Sequence, residues 1–570
     1  MYIRPSLMAV CILTSLMTAC GGVRLHAVDQ HVKGGLLAEQ GTTNEDLLSS
    51  NLLVEGEFYK TKDKAPCTCI AFSGGGIRSA AFSIGVMKGL HSIKGEGGTP
   101  FLNQVDILAA TSGGGYALSW YYMNQLGEKG MSKDDLFGPD AQNYLPDHAD
   151  FMTVRRFLQA GLSNALLIPW NLFANGLFGW HLNTSFVATS TYEGAIRETF
   201  HGDREGTLVE LRNVARQRQL PFFVITATAR IDEDRFHYDS QLSKTVFEFT
   251  PARFGSDAFG YSSFGKESPL TVSEIAEVSG AAIDSFEMFT GARQKVVGSA
   301  LNSDTGRYIT NYREKRSFLK KLGYYASFFP FYLYQRAYMH DAYGERMYLS
   351  DGGHSDNLAA FPLIRRLCQT IVIVDAEYDP HYTFEAYFKL KRAVESEMHV
   401  AFTLGREVGH DVEAIPQQVE THANLTTVSA QTLPDLSQTF DHSRPVIRGQ
   451  IKLFPRKTPV EEKPLEVVYI KMALDQRFKD WDRLNQKERE ELQNNYGPAV
   501  TSYALSSVRN TCAKRPYLFS KLWKCSFPQY DTTHQNFAPE QFTAYVELGA
   551  YIIKNNLRYD ATKKSVVVTH

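Results

Sequence analysis

Two short apolar runs, each delivered into a serine and three glycines, constrain this chain more than any other feature of it. Cys67–Phe72 leads into Ser73-Gly74-Gly75-Gly76, and Val105–Ala110 leads through Thr111 into Ser112-Gly113-Gly114-Gly115. Apolar residues at helical spacing follow the first, Phe82, Val86, Met87 and Leu90, and the segment Tyr116–Leu126 follows the second. Strand, tight turn and helix in immediate succession, twice, argue for a mostly parallel sheet covered by helices. Further apolar runs at Phe222–Ala227, Met347–Leu349 and Ile371–Val374 supply more buried strands. Sheets of this kind carry their sites at the carboxyl ends of the strands, where both glycine triplets stand. Beyond residue 400, Gly449–Phe454 and Leu465–Ala473 read as strands, Trp481–Gln493 as a charged helix, and Pro539–Asn555 as a helix with proline at its first position.

Ala71-Phe72-Ser73-Gly74-Gly75 and Ala110-Thr111-Ser112-Gly113-Gly114 both approximate Gly-x-Ser-x-Gly, with alanine in the first place. Small residues on either side let a serine sit on a sharp strand-to-helix turn with its Oγ presented. A glycine-rich loop at a helix N-terminus can instead hold developing negative charge on bare N–H groups. An acyl-transfer site needs one of each, and spacing alone leaves open which serine is the nucleophile. Arg78 favours the first loop for the anion-holding part. Neither triplet continues into Gly-Lys-Ser/Thr or forms Gly-x-Gly-x-x-Gly with its acidic partner, which argues against nucleotide-binding loops. A third segment, Tyr348-Leu349-Ser350-Asp351-Gly352-Gly353, brings an aspartate to a strand end; taken alone, Asp-Gly-Gly is a turn.

Together and in this order, Ser73-Gly74-Gly75-Gly76-Ile77-Arg78, Thr111-Ser112-Gly113-Gly114 and Asp351-Gly352-Gly353 resemble the patatin-like phospholipase family, and the serine before the first triplet is closer to its cytosolic phospholipase A2 branch. Phe247–Pro251, Ser279–Ala282 and the tail around Phe527-Pro528, Thr532, Gln535 and Phe542–Tyr545 extend the match. The resemblance implies a three-layer α/β/α fold with additional C-terminal elements. It implies a lipid acyl hydrolase acting on phospholipid or other lipid esters, with Ser112 as nucleophile and Asp351 as base and no catalytic histidine. It implies oxyanion donors at Gly74, Gly75 and Gly76, with Gly113 as helper, and Arg78 supporting the loop. Neither a metal nor another cofactor is needed for that step. The rival readings are a silent envelope scaffold or a serine hydrolase of another class, a thioesterase or peptidase. His354 and Ser73 are the alternative catalytic residues.

The charge balance is near neutral, net -2 over 570 residues, and points to no nucleic-acid partner. The N-terminus is distinct. Arg4, the apolar Leu7–Ala19 and Cys20-Gly21-Gly22 resemble the signal and lipobox of a bacterial lipoprotein. Residues 1–19 are then a signal peptide, Cys20 the lipidated residue and 20–60 a tether. Residues 61–400 form the catalytic domain, with 401–570 as an extension packed on or continuing it. The expected location is the cell envelope, at the outer membrane, anchored through Cys20. Cys67 and Cys69 should point to one side of a strand, Cys368 reads as a buried thiol, and Cys512 and Cys525 could pair. Gly161–Trp180 is without charge, but Pro169 and three asparagines weigh against a membrane span. That segment and the aromatic Tyr324–Tyr338 read as core, as an acyl-chain wall or as an interfacial surface.

Overall fold

Why these segments become a layered sheet is visible in their alternation. In β1 (Thr68–Phe72), Ile70 and Phe72 enter one apolar core while Cys69 and Ala71 enter a second. The same split divides Leu108 and Ala110 from Ile107 and Ala109 in β2 (Ile107–Thr111). A strand apolar on both faces must be covered on both, which makes three layers. The computed structural model describes residues 55–59, 65–126, 136–137, 145–173, 183–230, 244–256, 260–263, 270–284, 304–310, 346–398, 400–405, 436, 440–453, 463–511 and 525–569.

The remaining described strands are β3 (Ala149–Asp150), β4 (Phe222–Arg230), β5 (Lys244–Phe249), β6 (Arg253–Ser256), β7 (Gly260–Ser263), β8 (Arg307–Thr310), β9 (Arg346–Asp351), β10 (Thr370–Asp375), β11 (Val400–Leu404), β12 (Val446–Leu453), β13 (Leu465–Lys471), β14 (Asn536–Phe537), β15 (Leu557–Asp560) and β16 (Ser565–Val568). Of the sixteen described strands, β1, β2 and β4 to β13 form one sheet in the order β11-β12-β13-β10-β1-β2-β4-β5-β6-β7, with β9 added to β4 and β8 to β9. Its centre, β13-β10-β1-β2-β4, is parallel. Antiparallel strands extend it on both flanks. This is the expected three-layer α/β/α fold, and strands from beyond residue 400 lie within the same sheet.

Helices α1 (Gly76–Ser92) and α2 (Ser112–Met123) leave directly from the ends of β1 and β2. Next come α3 (Val154–Asn171), α4 (Val272–Ser279), α5 (Glu385–Met398), α6 (Gln486–Val508) and α7 (Pro539–Asn556). Helix α7 lies against α1 with almost no gap. A methyl added at Gly85 would come within 2.0 Å of the Val546 carbonyl oxygen, and one at Gly549 within 2.4 Å of that of Phe82. The tail is thereby locked beside the first glycine loop. The charged helix begins at Gln486 and not at Trp481, because Asn485 caps it with its side chain and Glu488 completes a capping box.

Cys368 is no free thiol: it is bonded to Cys69, 299 residues away. Parallel pairing of β1 with β10 sets Thr68 opposite Thr370, which brings the two cysteines together. Cys67 is half-buried and free. Cys525 is disulfide-bonded, while Cys512, Cys20, residues 1–54 and Tyr324–Tyr338 lie outside the described residues. No described helix is long and apolar enough to cross a membrane.

Candidate active site

The register of one strand assembles the site. At the end of β2, Thr111 lies opposite Thr226 of β4, and the next residue of β4, Ala227, lies opposite Asp351. Strand β9 therefore occupies, antiparallel, the place beside β4 that β2 vacates when the chain turns into α2. The two strand ends meet head to head. Ser112 Oγ donates to Asp351 Oδ2 at 3.0 Å across 239 residues of sequence.

Ser112 sits at φ +50° as the first residue of α2. A non-glycine residue in this region costs on the order of 1–3 kcal/mol, so the surroundings must hold it there. They do so from three sides. The Ser112 N–H donates to Ser279 Oγ at 2.9 Å, and Ser279 Oγ donates to the Thr226 carbonyl at 2.7 Å. Bare backbone closes the other sides: a methyl at Gly113 would fall 2.0 Å from the Gly76 carbonyl oxygen, and one at Gly114 2.5 Å from that of Phe72. Glycine is required at both places by contact alone. The segment after α4 also grips the aspartate strand, since Gly352 N–H donates to the Ser279 carbonyl at 3.0 Å and Asp351 N–H to that of Ala281 at 3.3 Å. Ser279 thus ties both halves of the site to one point.

Asp351 Oδ1 accepts the Gly353 N–H at 2.7 Å, leaving Oδ2 for Ser112. Burial pushes the Asp351 carboxyl above its ordinary value, opposed by His354, the Gly353 N–H and the Ser112 hydroxyl. Its proton affinity is raised, as a base for a hydroxyl requires. His354 turns its Nδ1 to Ser350 Oγ at 3.3 Å. Asp356 accepts the N–H groups of Leu358 and Phe361 and organises the following turn.

The two glycine triplets are now distinguishable. Ser73 is fully buried, and its hydroxyl donates to the Gly74 carbonyl and accepts the Ala376 N–H at 2.8 Å. That hydroxyl is committed to the backbone. The loop after it approaches Ser112 closely, a Gly74 methyl lying 3.1 Å from Ser112 Cβ. Gly75 and Gly76 adopt φ +137° and +63° at the start of α1, conformations that favour glycine. Their N–H groups meet no acceptor among the described residues. Gly74 differs from expectation: its N–H donates to the Asn357 carbonyl at 2.8 Å, so it is spent and drops out as an oxyanion donor. Gly113, second in α2, has an N–H without an intrahelical acceptor by helix geometry.

Arg78 is buried, and its guanidinium donates to the Ala376 carbonyl at 3.2 and 3.1 Å, to Thr532 Oγ1 at 3.4 Å and to the Tyr530 carbonyl. It cross-links the loop to the end of β10 and to the tail. It acts on the loop's shape, since its donors are occupied by carbonyl and hydroxyl oxygens. Gln535 closes the same side, and a methyl on Gly76 would meet its Nε2 at 2.5 Å. Ser279, Asn357, Tyr530 and Gln535 carry no catalytic signature in sequence. The only signal for Ser279 and Gln535 was their place in family-like blocks. Among the described residues no group of three or more His, Cys, Asp or Glu side chains could hold a metal ion.

A family model described as patatin-like phospholipase matches residues 70–364. No curated protein matches the chain. Among solved structures it is similar to human GIVD cytosolic phospholipase A2, at 13% identity and a TM-score of 0.47, covering 91% of this chain and 67% of that one. The same human protein in complex with methyl gamma-linolenyl fluorophosphonate and terbium chloride matches at 13% identity and a TM-score of 0.40, over 92% of this chain and 62% of that one.

Proposed function

This chain belongs to the patatin-like phospholipase family, and from that premise we propose that it is a lipid acyl hydrolase that cleaves carboxylic esters through an acyl-serine on Ser112. One observation carries the reading: the 3.0 Å hydrogen bond from a strained, strand-end Ser112 to a buried carboxylate of raised proton affinity. In the proposed reaction Asp351 Oδ2 takes the proton as Ser112 Oγ attacks the ester carbonyl. The carbonyl oxygen becomes an oxyanion beside the N–H groups of Gly75 and Gly76, reinforced by the N-terminal dipole of α1 and helped by Gly113. Asp351 returns its proton to the leaving alcohol, and water then releases the fatty acid by the same steps in reverse. Arg78, Gln535 and Ser279 hold the parts in place without touching the reacting atoms.

The test uses a fluorophosphonate probe and a panel of phospholipids, lysophospholipids and acylglycerols, with Ser112→Ala beside the parent chain. Labelling of Ser112 and fatty-acid release that both vanish in Ser112→Ala support the reading. Labelling without release from any lipid moves the activity to thioesters or peptides, and absence of labelling leaves a silent scaffold. We also propose that the chain is a lipoprotein held at the bacterial cell envelope, at the outer membrane, through Cys20. The support is the Leu7–Ala19 stretch ending at Cys20, and the mass of the mature N-terminal peptide tests it. Unmodified Cys20, or cleavage elsewhere, rules the anchor out.

A further inference from the structure

Most of the large apolar side chains that the described fold leaves exposed lie on or just beyond one helix. Among the described residues eight large apolar side chains are exposed, and six of them, Val154, Phe157, Leu158, Leu162, Leu166 and Phe173, lie in 154–173. Leu158, Leu162 and Leu166 recur every four residues and so form one stripe along α3. They are 63%, 67% and 71% exposed. The opposite stripe, Ala160, Asn164 and Asn171, is buried. This is the reverse of a water-facing helix, which turns its apolar stripe inward. The inward asparagines are bonded: Asn164 Oδ1 accepts the Phe186 N–H at 2.6 Å, and Asn171 Oδ1 accepts the Thr184 hydroxyl at 3.3 Å. Helix α3 is therefore held to the protein by polar contacts and offers hydrocarbon outward.

Location, charge and area choose the occupant. Just before α3, Phe151 N–H donates to the Gln535 carbonyl at 3.2 Å and Met152 N–H to Asn536 Oδ1 at 2.8 Å. Gln535 is the residue that abuts Gly76, so the helix starts beside the segment that packs on the first glycine loop. Its charges are Arg155 and Arg156, with no acidic residue; Arg156 pairs with Glu198 and Arg155 is exposed. An 18-residue helix is about 27 Å long and presents a stripe of roughly 300 Å² at a width of ~10 Å. A stable protein partner requires ~800 Å² from each side. A lipid surface has no such requirement, and its phosphates complement Arg155.

We propose that α3 lies flat in the surface of a lipid bilayer, with Leu158, Leu162 and Leu166 among the acyl chains and Arg155 at the phosphates. This sets the segment that packs on the first glycine loop at the substrate's surface. The purpose rests on the lipid-hydrolase reading of Ser112, while the binding itself does not. The test measures flotation with vesicles of ether-linked phosphatidylcholine containing one-fifth ether-linked phosphatidylglycerol, which present a bilayer surface but no carboxylic ester to hydrolyse. The chain used starts at Gly21, so it lacks Cys20 and keeps every described element. Each leucine lost from the interface weakens binding roughly tenfold. Leu158→Ser with Leu162→Ser and Leu166→Ser is expected to lower vesicle binding on the order of 10²–10³-fold, with turnover of a short-chain soluble ester retained. If the triple variant loses soluble-ester turnover, Leu162→Ser alone is read, with about a tenfold loss expected. Failure of the parent chain to bind, or equal binding by parent and variant, overturns the proposal. So does a parent that self-associates in sedimentation through these leucines and ignores vesicles. A parent chain that binds the vesicles through these leucines yet hydrolyses no ester-linked lipid would sink the enzymatic reading and leave the surface standing.

Discussion

Replacing Ser279 by alanine probes whether Ser112 is held in its turn or merely found there. The hydroxyl of Ser279 accepts the Ser112 N–H at 2.9 Å and donates to the Thr226 carbonyl at 2.7 Å, and all three residues are buried. Alanine leaves a buried donor and a buried acceptor behind, each costing about 1–3 kcal/mol, so the fold should lose ~2–4 kcal/mol. The kinetic effect has a separate origin. Ser112 at φ +50° stores on the order of 1–3 kcal/mol of strain. Once its N–H is released, the turn can relax and carry Oγ away from Asp351 and from the glycine donors. Since about 1.4 kcal/mol is tenfold in rate, kcat should fall roughly 10–100-fold with KM little changed. The assay is soluble-ester kinetics and the rate of fluorophosphonate labelling, well below the melting temperature, beside urea unfolding. Ser119→Ala is the control. Ser119 Oγ is equally buried, donates to the Tyr116 carbonyl at 2.9 Å and meets His201 Nε2 at 2.9 Å, so its loss should destabilise without lowering kcat. A Ser279→Ala protein that is less stable yet turns over at the parent rate would refute the tether, as would a change confined to KM.

Ser112→Ala and Asp351→Asn should each lower kcat on the order of 10³-fold or more with the melting temperature nearly kept, because nucleophile and base act as a unit; substantial turnover by either would dismiss the dyad. Gly75→Ala places a methyl 2.5 Å from the Ala376 carbonyl at φ +137°, so turnover should drop about 10²-fold, read as kcat against KM. The rate should rise with pH along an acid limb lying above the ordinary aspartate value of 3.8, because only ionised Asp351 can accept the proton. His354 holds that carboxyl down, so His354→Ala should move the limb to higher pH, and a limb that stays still or moves lower speaks against Asp351 as the titrating base. The same raised carboxyl favours the folded state below the unfolded value and forfeits that stability as pH climbs through the folded one. Replacing Cys69 and Cys368 together by serine should cost about 2–5 kcal/mol in chemical unfolding, since the bond closes a loop of 299 residues.

Some of the site was legible one segment at a time. Apolar Ile70–Phe72 and Leu108–Ala110 read as buried strands, and serine followed by three glycines as a tight turn into a helix. These are steric facts within ten residues. The reading of Ser73 against Ser112 was different, because the two segments have nearly the same local form. Only the partners of each hydroxyl separate them, Gly74 and Ala376 for one and Asp351 for the other. The Gly74 donor was misread for the same reason: its N–H is consumed by Asn357, on a turn that sequence places far away.

What the sequence by itself determined, then, is the set of strand–turn–helix units, the two-faced burial of the central strands and the residue types available to an acyl-transfer site. The tertiary structure decided how they combine. Strand β9 takes the place beside β4 that β2 leaves, and consecutive residues of β4, Thr226 and Ala227, set Ser112 against Asp351. Pairing of β1 with β10 made a bridge of Cys69 and Cys368. The inside-out polarity of α3 could not be read from an uncharged run either, because periodicity shows that two stripes differ but not which one the protein binds. Local sterics act through neighbouring atoms and are written in the sequence, whereas register and facing depend on partners hundreds of residues away and exist only once the sheet has closed around them.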